Sequence, residues 1–162
     1  MVKKYNSELF SLTITTQKIN TLITMRLFIS EVNTNAFPQT HELLSQYLPT
    51  IFKHKCFNYS HQPFSKEVKK TEIGHLFEHI LLENICILKF KKGNKDIKIK
   101  GVTDWNWYKD SIGTFHIDIN YAVDDVKLFN EALKKTIQLT QIILSSPLIT
   151  PKTSTERLPV QI

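Results

Sequence analysis

The chain has 162 residues, 41% of them hydrophobic, with a formal net charge of +6 and a pI near 9.3. That is one domain's length with enough apolar residues for a core, which excludes wholesale disorder. Two cysteines exclude a disulfide framework and point to a reducing compartment. No run nears the ~18 apolar residues of a membrane span, and "MVKKYNSELF" lacks a signal-peptide core. The expectation is a soluble cytoplasmic protein.

"FSLTITTQ" and "TLITMRLFIS" alternate and are β-branched, so they read as two strands around a turn near Lys18-Ile19-Asn20. In "NAFPQTHELLSQYLPTIF", Thr40 is the expected N-cap of a helix with Leu43, Leu44, Tyr47 and Leu48 on one face. "KHKCFNYSHQPFS" reads as an irregular connection. A central helix is expected after Thr71, its N-cap, running to about Leu88. "KFKKGNKDIKIK" reads as a lysine-decorated strand pair turning at Gly93-Asn94, its lysines interrupted by apolar residues. That interruption weighs against a nucleic-acid site. "DIKIKGV" and "GTFHIDINY" alternate as strands around the Trp-rich "TDWNWYKDS". Asp124 is the expected cap of a last amphipathic helix carrying Val126, Phe129, Leu133, Ile137 and Thr140. The order β-β-α-α-β-β-α predicts an α+β two-layer sandwich, a mostly antiparallel sheet with helices on one face, over residues 1–146. Residues 147–162, with three prolines and no periodicity, read as a loosely ordered tail.

The central helix, "GHLFEHILLEN", carries the chemistry. At 100° per residue, Ile73, Leu76, Phe77, Ile80, Ile87 and Leu88 form the stripe that packs on the sheet. His75 and His79 fall together on the other side, ~6 Å apart along the axis, flanked by Glu78 and Glu83. Leu82 and Cys86 share that side, so it reads as the wall of a cleft. Imidazoles at i and i+4 can point at one ion, and the neighbouring glutamate can take a proton from a polarised water. This is the inverted zinc-peptidase arrangement H-x-x-E-H. Zinc is the expected metal, with His75 and His79 as ligands and Glu78 as general base. The alternative is a helix whose histidines are merely satisfied by hydrogen bonds.

Glu83 lies too far along the axis to share the ion. It leans toward the N-terminus and is expected to hold the free ring nitrogen of His79. The third protein ligand stays open among His116, Asp118, Asn120 and Glu156.

Four segments occur in order: "MRLFISEV", "LPTIFKHKCF", "GHLFEHILLE" and "FHIDINYAVDD". Together they resemble the N-terminal domain of cyanophycin synthetases, and the expectation is a domain standing alone without the ATP-grasp and ligase-like domains that carry out synthesis. Leu48, Pro49, His54 and Cys56 match the second segment of the family pattern. Gly74, His75, Glu78, His79 and Glu83 match the third, and Tyr121 the fourth. The resemblance implies binding of a polymer with an aspartate backbone and arginine side groups. In some members it implies a pitrilysin-type metallopeptidase that cuts this polymer. It also implies that His54 and Cys56 line the cleft without ligating the metal, Cys56 reading otherwise as a buried structural thiol. The family's Gly-rich loop after the helix is replaced here by the lysine-rich stretch, and the Gly-Gly after the Cys is missing.

Two readings of function follow. One is a zinc-dependent peptidase or amidase acting on a peptide or isopeptide, with a cyanophycin-like polymer as the substrate the resemblance favours. The other is a non-catalytic module with a vestigial site, binding a peptide, a polymer or a protein. A basic polyanion-binding domain is a third, weaker reading. The partners expected are a peptide or isopeptide polymer and no membrane; a homo-oligomer stays open.

Overall fold

The computed structural model describes residues 2–56 and 61–146. Five strands form one fully antiparallel sheet: β1 (Val2–Asn6), β2 (Phe10–Thr16), β3 (Thr21–Leu27), β4 (Gly101–Asp104) and β5 (Thr114–Ile119). Their order is β1-β2-β3-β5-β4, so β1 and β4 are the edges. Four helices accompany them: α1 (Thr40–Tyr47), α2 (Phe64–Glu67), α3 (Ile73–Lys91) and α4 (Val126–Leu144). Tight turns at Thr34–Ala36 and Pro49–Lys53 flank α1.

Period-two alternation decides which face of the sheet is covered. Phe10, Leu12 and Ile14, then Ile23, Met25 and Leu27, then Phe115, Ile117 and Ile119, all point inward and are buried. Between them Thr24, Arg26, His116 and Asp118 face solvent. The α+β architecture expected from the sequence is the one observed.

Helix α3 runs through the middle and is buried almost all round. Ile73, Leu76, Phe77 and Ile80 have no exposed surface, and Gly74 lets the helix close on the sheet, since a Cβ there would lie 2.3 Å from the Phe115 ring. On another side α3 packs along α4, where Asn84 donates to the Thr136 hydroxyl at 3.1 Å. Its remaining side faces the 49–56 segment and β4. Apolar residues on more than one side of the helix are what such a position requires.

Several local expectations change. The N-terminal "VKKYN" is a strand, paired with β2; its lysines obscured the pattern, because an edge strand half in water need not alternate cleanly. Thr40 is the first residue of α1, not its cap; its hydroxyl donates to Phe37 O, and Tyr47 is 54% exposed. Thr71 does not cap α3, which starts at Ile73 after Glu72, because the Thr71 hydroxyl is held 2.7 Å from His75 Nδ1. The lysine-rich stretch is not a strand pair. Helix α3 continues to Lys91 and ends at Gly93, whose φ of +89° suits the left-handed position after a helix. Residues 94–100 form no strand, and β4 begins only at Gly101. Asp125, not Asp124, caps α4, accepting from Leu128 N at 2.9 Å. Asp124 instead accepts from the Tyr121 hydroxyl and from Lys89. Val126 is 47% exposed, whereas Phe129, Leu133, Ile137 and Thr140 are buried. The expected tail, with Glu156, lies outside the described residues, as do residues 57–60 of the His-rich connection.

Candidate metal centre and its cavity

The first two turns of α3 set His75 and His79 one turn apart, on the side away from the sheet. The chain after α1 supplies the opposite wall. Pro49 opens a tight turn, Ile51 is fully buried, and the segment is pinned by Phe64 N donating to His54 O. This brings Cys56 over the two rings. Cys56 Sγ lies 3.2 Å from His79 Nε2 and 3.7 Å from His75 Nε2, and the two Nε2 atoms are 3.1 Å apart. Among the described residues, Cys56, His75 and His79 form a group that could hold a metal ion. The thiol expected only to line the cleft is therefore placed as a candidate third donor.

The other candidates for that role are elsewhere. His116, Asp118 and Asn120 lie on the exposed face of β5 or just beyond it. His116 Nε2 is 2.9 Å from Asp110, Asp118 accepts from Asn20, and the Asn120 side chain accepts from Lys100 N. Strand alternation sends them to the side of the sheet opposite α3.

The free nitrogens of both rings have partners. His75 Nδ1 is 2.7 Å from the Thr71 hydroxyl. His79 Nδ1 is 3.0 Å from His54 Nδ1, and His54 Nε2 is 2.7 Å from Glu83 Oε2. Glu83 also accepts from the Thr50 hydroxyl. Glu83 thus reaches His54 and not, as its spacing suggested, His79 itself. One set of tautomers satisfies this chain when His54 is neutral. His54 donates its Nε2 hydrogen to the Glu83 carboxylate, which leaves His54 Nδ1 a lone pair. His79 then donates from Nδ1, and its Nε2 lone pair is left aimed at Cys56 and His75. Outer partners of this kind fix which nitrogen of a histidine is free to bind a metal.

Electrostatics favour a cation at this place. Burial, together with His75 and His54, lowers the His79 pKa to about 2, and burial lowers that of His75, which favours the neutral form of both rings. Burial, with Glu67 and Glu78 nearby, pushes the Cys56 thiol up to about 12. A bare thiolate is disfavoured there, and an ion held by the sulfur would supply the missing positive charge. Burial works against the charge of Glu83, but the hydrogen bonds from His54 and Thr50 prevail and hold its pKa low.

Glu78 sits beside the cluster on the same helix, buried, with its pKa raised to about 7 by desolvation against the opposing hydrogen bond from Thr103. The Thr103 hydroxyl donates to Glu78 Oε2 at 2.6 Å. Gly101 makes room for the other oxygen, since a Cβ there would lie 2.5 Å from Oε1. The cluster, Glu78 and His54 open into a cavity of about 1010 Å³, whose far wall is the unbroken run from Ile99 to Trp105. Leu82 and Cys86 line the same space.

Fold and site define an α+β two-layer domain with a largely buried His-His-Cys group, able to hold a metal ion, at the floor of a cleft. Residues 22–100 match the family model of the cyanophycin synthase-like N-terminal domain, a match over just under half of the chain that supports homology to that domain. The match covers β3 from Leu22, the 49–56 segment and α3, and ends at Lys100, directly before β4. No curated protein matches the chain. Among the described residues no helix is long and apolar enough to cross a membrane.

Proposed function

We propose that the chain is a zinc-dependent peptidase or amidase acting on a peptide or isopeptide bond, with a cyanophycin-like polymer as the substrate that the family points to. The donor triangle carries this reading. Tetrahedral zinc, with bonds of ~2.0–2.1 Å to nitrogen and ~2.3 Å to sulfur, separates two nitrogens by ~3.4 Å and a nitrogen from a sulfur by ~3.6 Å. The distances here are 3.1 Å between the nitrogens and 3.2 and 3.7 Å to the sulfur. Two neutral imidazoles and a thiolate suit zinc, and three protein ligands leave a fourth position for the reacting species. When bound there, zinc supplies a Lewis acid that polarises a carbonyl and makes water acidic.

This chain's own residues do the rest. His54 and Glu83 hold His79 in its ligating tautomer, and Thr71 does the same for His75. Glu78 is the general base: a carboxyl with a pKa of about 7 can take and return a proton near neutrality. Thr103 and Gly101 fix that carboxylate against β4.

Replacing Glu78 with Gln keeps an acceptor for Thr103 and removes the base. The expected outcome is retained folding, retained zinc and a loss of hydrolysis of about 100-fold or more. The assay sets β-aspartyl-arginine oligomers beside ordinary peptides. Zinc-loaded wild-type protein that binds such an oligomer and never cuts it would instead establish a non-catalytic binding module.

A further inference from the structure

The two edges of the sheet are dressed differently. β1 carries Lys3 and Lys4, the charged decoration that keeps an edge from pairing with another chain. β4 is Gly-Val-Thr-Asp, and all of it lines the cavity that holds the donor cluster.

The register states which backbone groups of β4 are spoken for. Asn120 N donates to Lys100 O at 2.9 Å, and the ladder continues as Gly101 opposite Ile119, Val102 opposite Asp118 and Thr103 opposite Ile117. Hydrogen-bonded and non-bonded pairs alternate along an antiparallel ladder. Lys100, Val102 and Asp104 therefore turn their N–H and C=O groups to β5, while Gly101 and Thr103 turn theirs to the edge, where no further strand pairs among the described residues. These are the two residues that hold the Glu78 carboxylate, one by its missing side chain and one by its hydroxyl.

We infer that β4 is the substrate-docking edge, and that an extended peptide adds there as a sixth strand, pairing its backbone with Gly101 and Thr103. The inference rests on the hydrolase reading for its chemistry, but the docking stands or falls by itself. A strand added at this edge runs beside Glu78 and past the donor cluster, so backbone pairing brings successive peptide bonds to the site in register. Main-chain hydrogen bonds supply such binding, and it tolerates many sequences. A short edge strand can be nothing more than a blunt end of a sheet. That account does not explain why the edge groups belong to two residues that line the cavity and hold Glu78.

The test uses zinc-loaded Glu78→Gln protein, labelled with 15N, and β-casein as an unfolded polypeptide probe. Wild-type protein stripped of metal by EDTA is run in parallel as a second non-cutting form. Amide exchange with water is read by NMR at Gly101 and Thr103, with the amides of β1 as the internal comparison. The expected result is exchange at Gly101 and Thr103 slowed at least tenfold by casein, with β1 unchanged. No slowing at these two amides, or equal slowing at β1, overturns the inference. Zinc-loaded wild-type protein is assayed for casein cleavage separately. Cleavage without protection of β4 removes the docking edge and leaves the hydrolase reading intact. Protection of β4 without cleavage does the reverse.

Discussion

Two groups of side chains on this chain have the composition of a metal site, and their fates are opposite. On and beside β5, His116, Asp118 and Asn120 lie together in sequence, yet each faces solvent and takes a separate polar neighbour. On α3 and the 49–56 segment, His75, His79 and Cys56 come from distant positions and converge within 4.8 Å of one another. The difference is burial. On the outer face water competes for every donor, and pairs such as His116–Asp110 contribute little. In the cleft each ring nitrogen must find a protein partner, and the partners it finds aim both Nε2 lone pairs at one point.

That contrast breaks most readily at His79. His79→Ala should lower bound zinc from about one per chain to near none, while His116→Ala leaves it unchanged; elemental analysis of the two purified variants decides. Equal loss in both would erase the distinction between the faces. Cys56→Ala should weaken zinc by about a hundredfold or more, read by chelator competition, and Cys86→Ala should not, although both thiols line the cavity. Glu83→Leu touches neither ion nor ligand. It leaves His54 without its carboxylate and should cost about 10–100-fold in zinc affinity. Glu83→Asp, if it still reaches His54, should recover part of this.

The smallest effect is on stability. In metal-free protein the His79 pKa is about 2, against 6.5 for an unshifted histidine. The unfolded chain therefore takes up a proton below pH 6.5 that the folded chain refuses, and stability falls as pH drops through that window. The slope from this one ring is at most about 1.4 kcal/mol per pH unit. Glu78 acts oppositely: its raised pKa favours the folded state at low pH, and that contribution is lost as pH rises from 4.5 to about 7. Glu78 is present in both proteins, so its contribution largely cancels. Urea denaturation in EDTA from pH 6.5 to 4 should show a shallower acid loss for His79→Ala than for wild type. Identical slopes would mean that His79 is not buried as a neutral ring.

The fold was legible where one face is buried. Strands β2, β3 and β5 alternate cleanly, and α4 shows helical spacing, because a half-buried element writes its period into the sequence. It was less legible at edges and caps. The Lys-rich β1 is an edge strand, and β4 is four residues long and lies inside a lysine-rich stretch. Thr71 looks like an N-cap because a hydroxyl before an apolar run usually is one, but here His75 takes it. At the site, the i, i+4 spacing gave His75 and His79, and Glu78 between them. The approach of Cys56 to the rings was hidden by sequence distance, since it is created by the turn at Pro49–Lys53 and the pinning of His54 O. The pairing of Glu83 with His54 was hidden for the same reason. A cysteine two residues after a histidine, in a segment matching the same family pattern as the helix, was the signal available.

The central claim is that Cys56, His75 and His79 together hold one metal ion. X-ray absorption at the zinc edge, on wild-type protein reconstituted with one equivalent of zinc, tests it most directly. The account predicts a single tightly bound zinc with two imidazole nitrogens at ~2.0–2.1 Å and one sulfur at ~2.3 Å. A zinc shell without sulfur, or protein that retains no zinc after desalting, would contradict it.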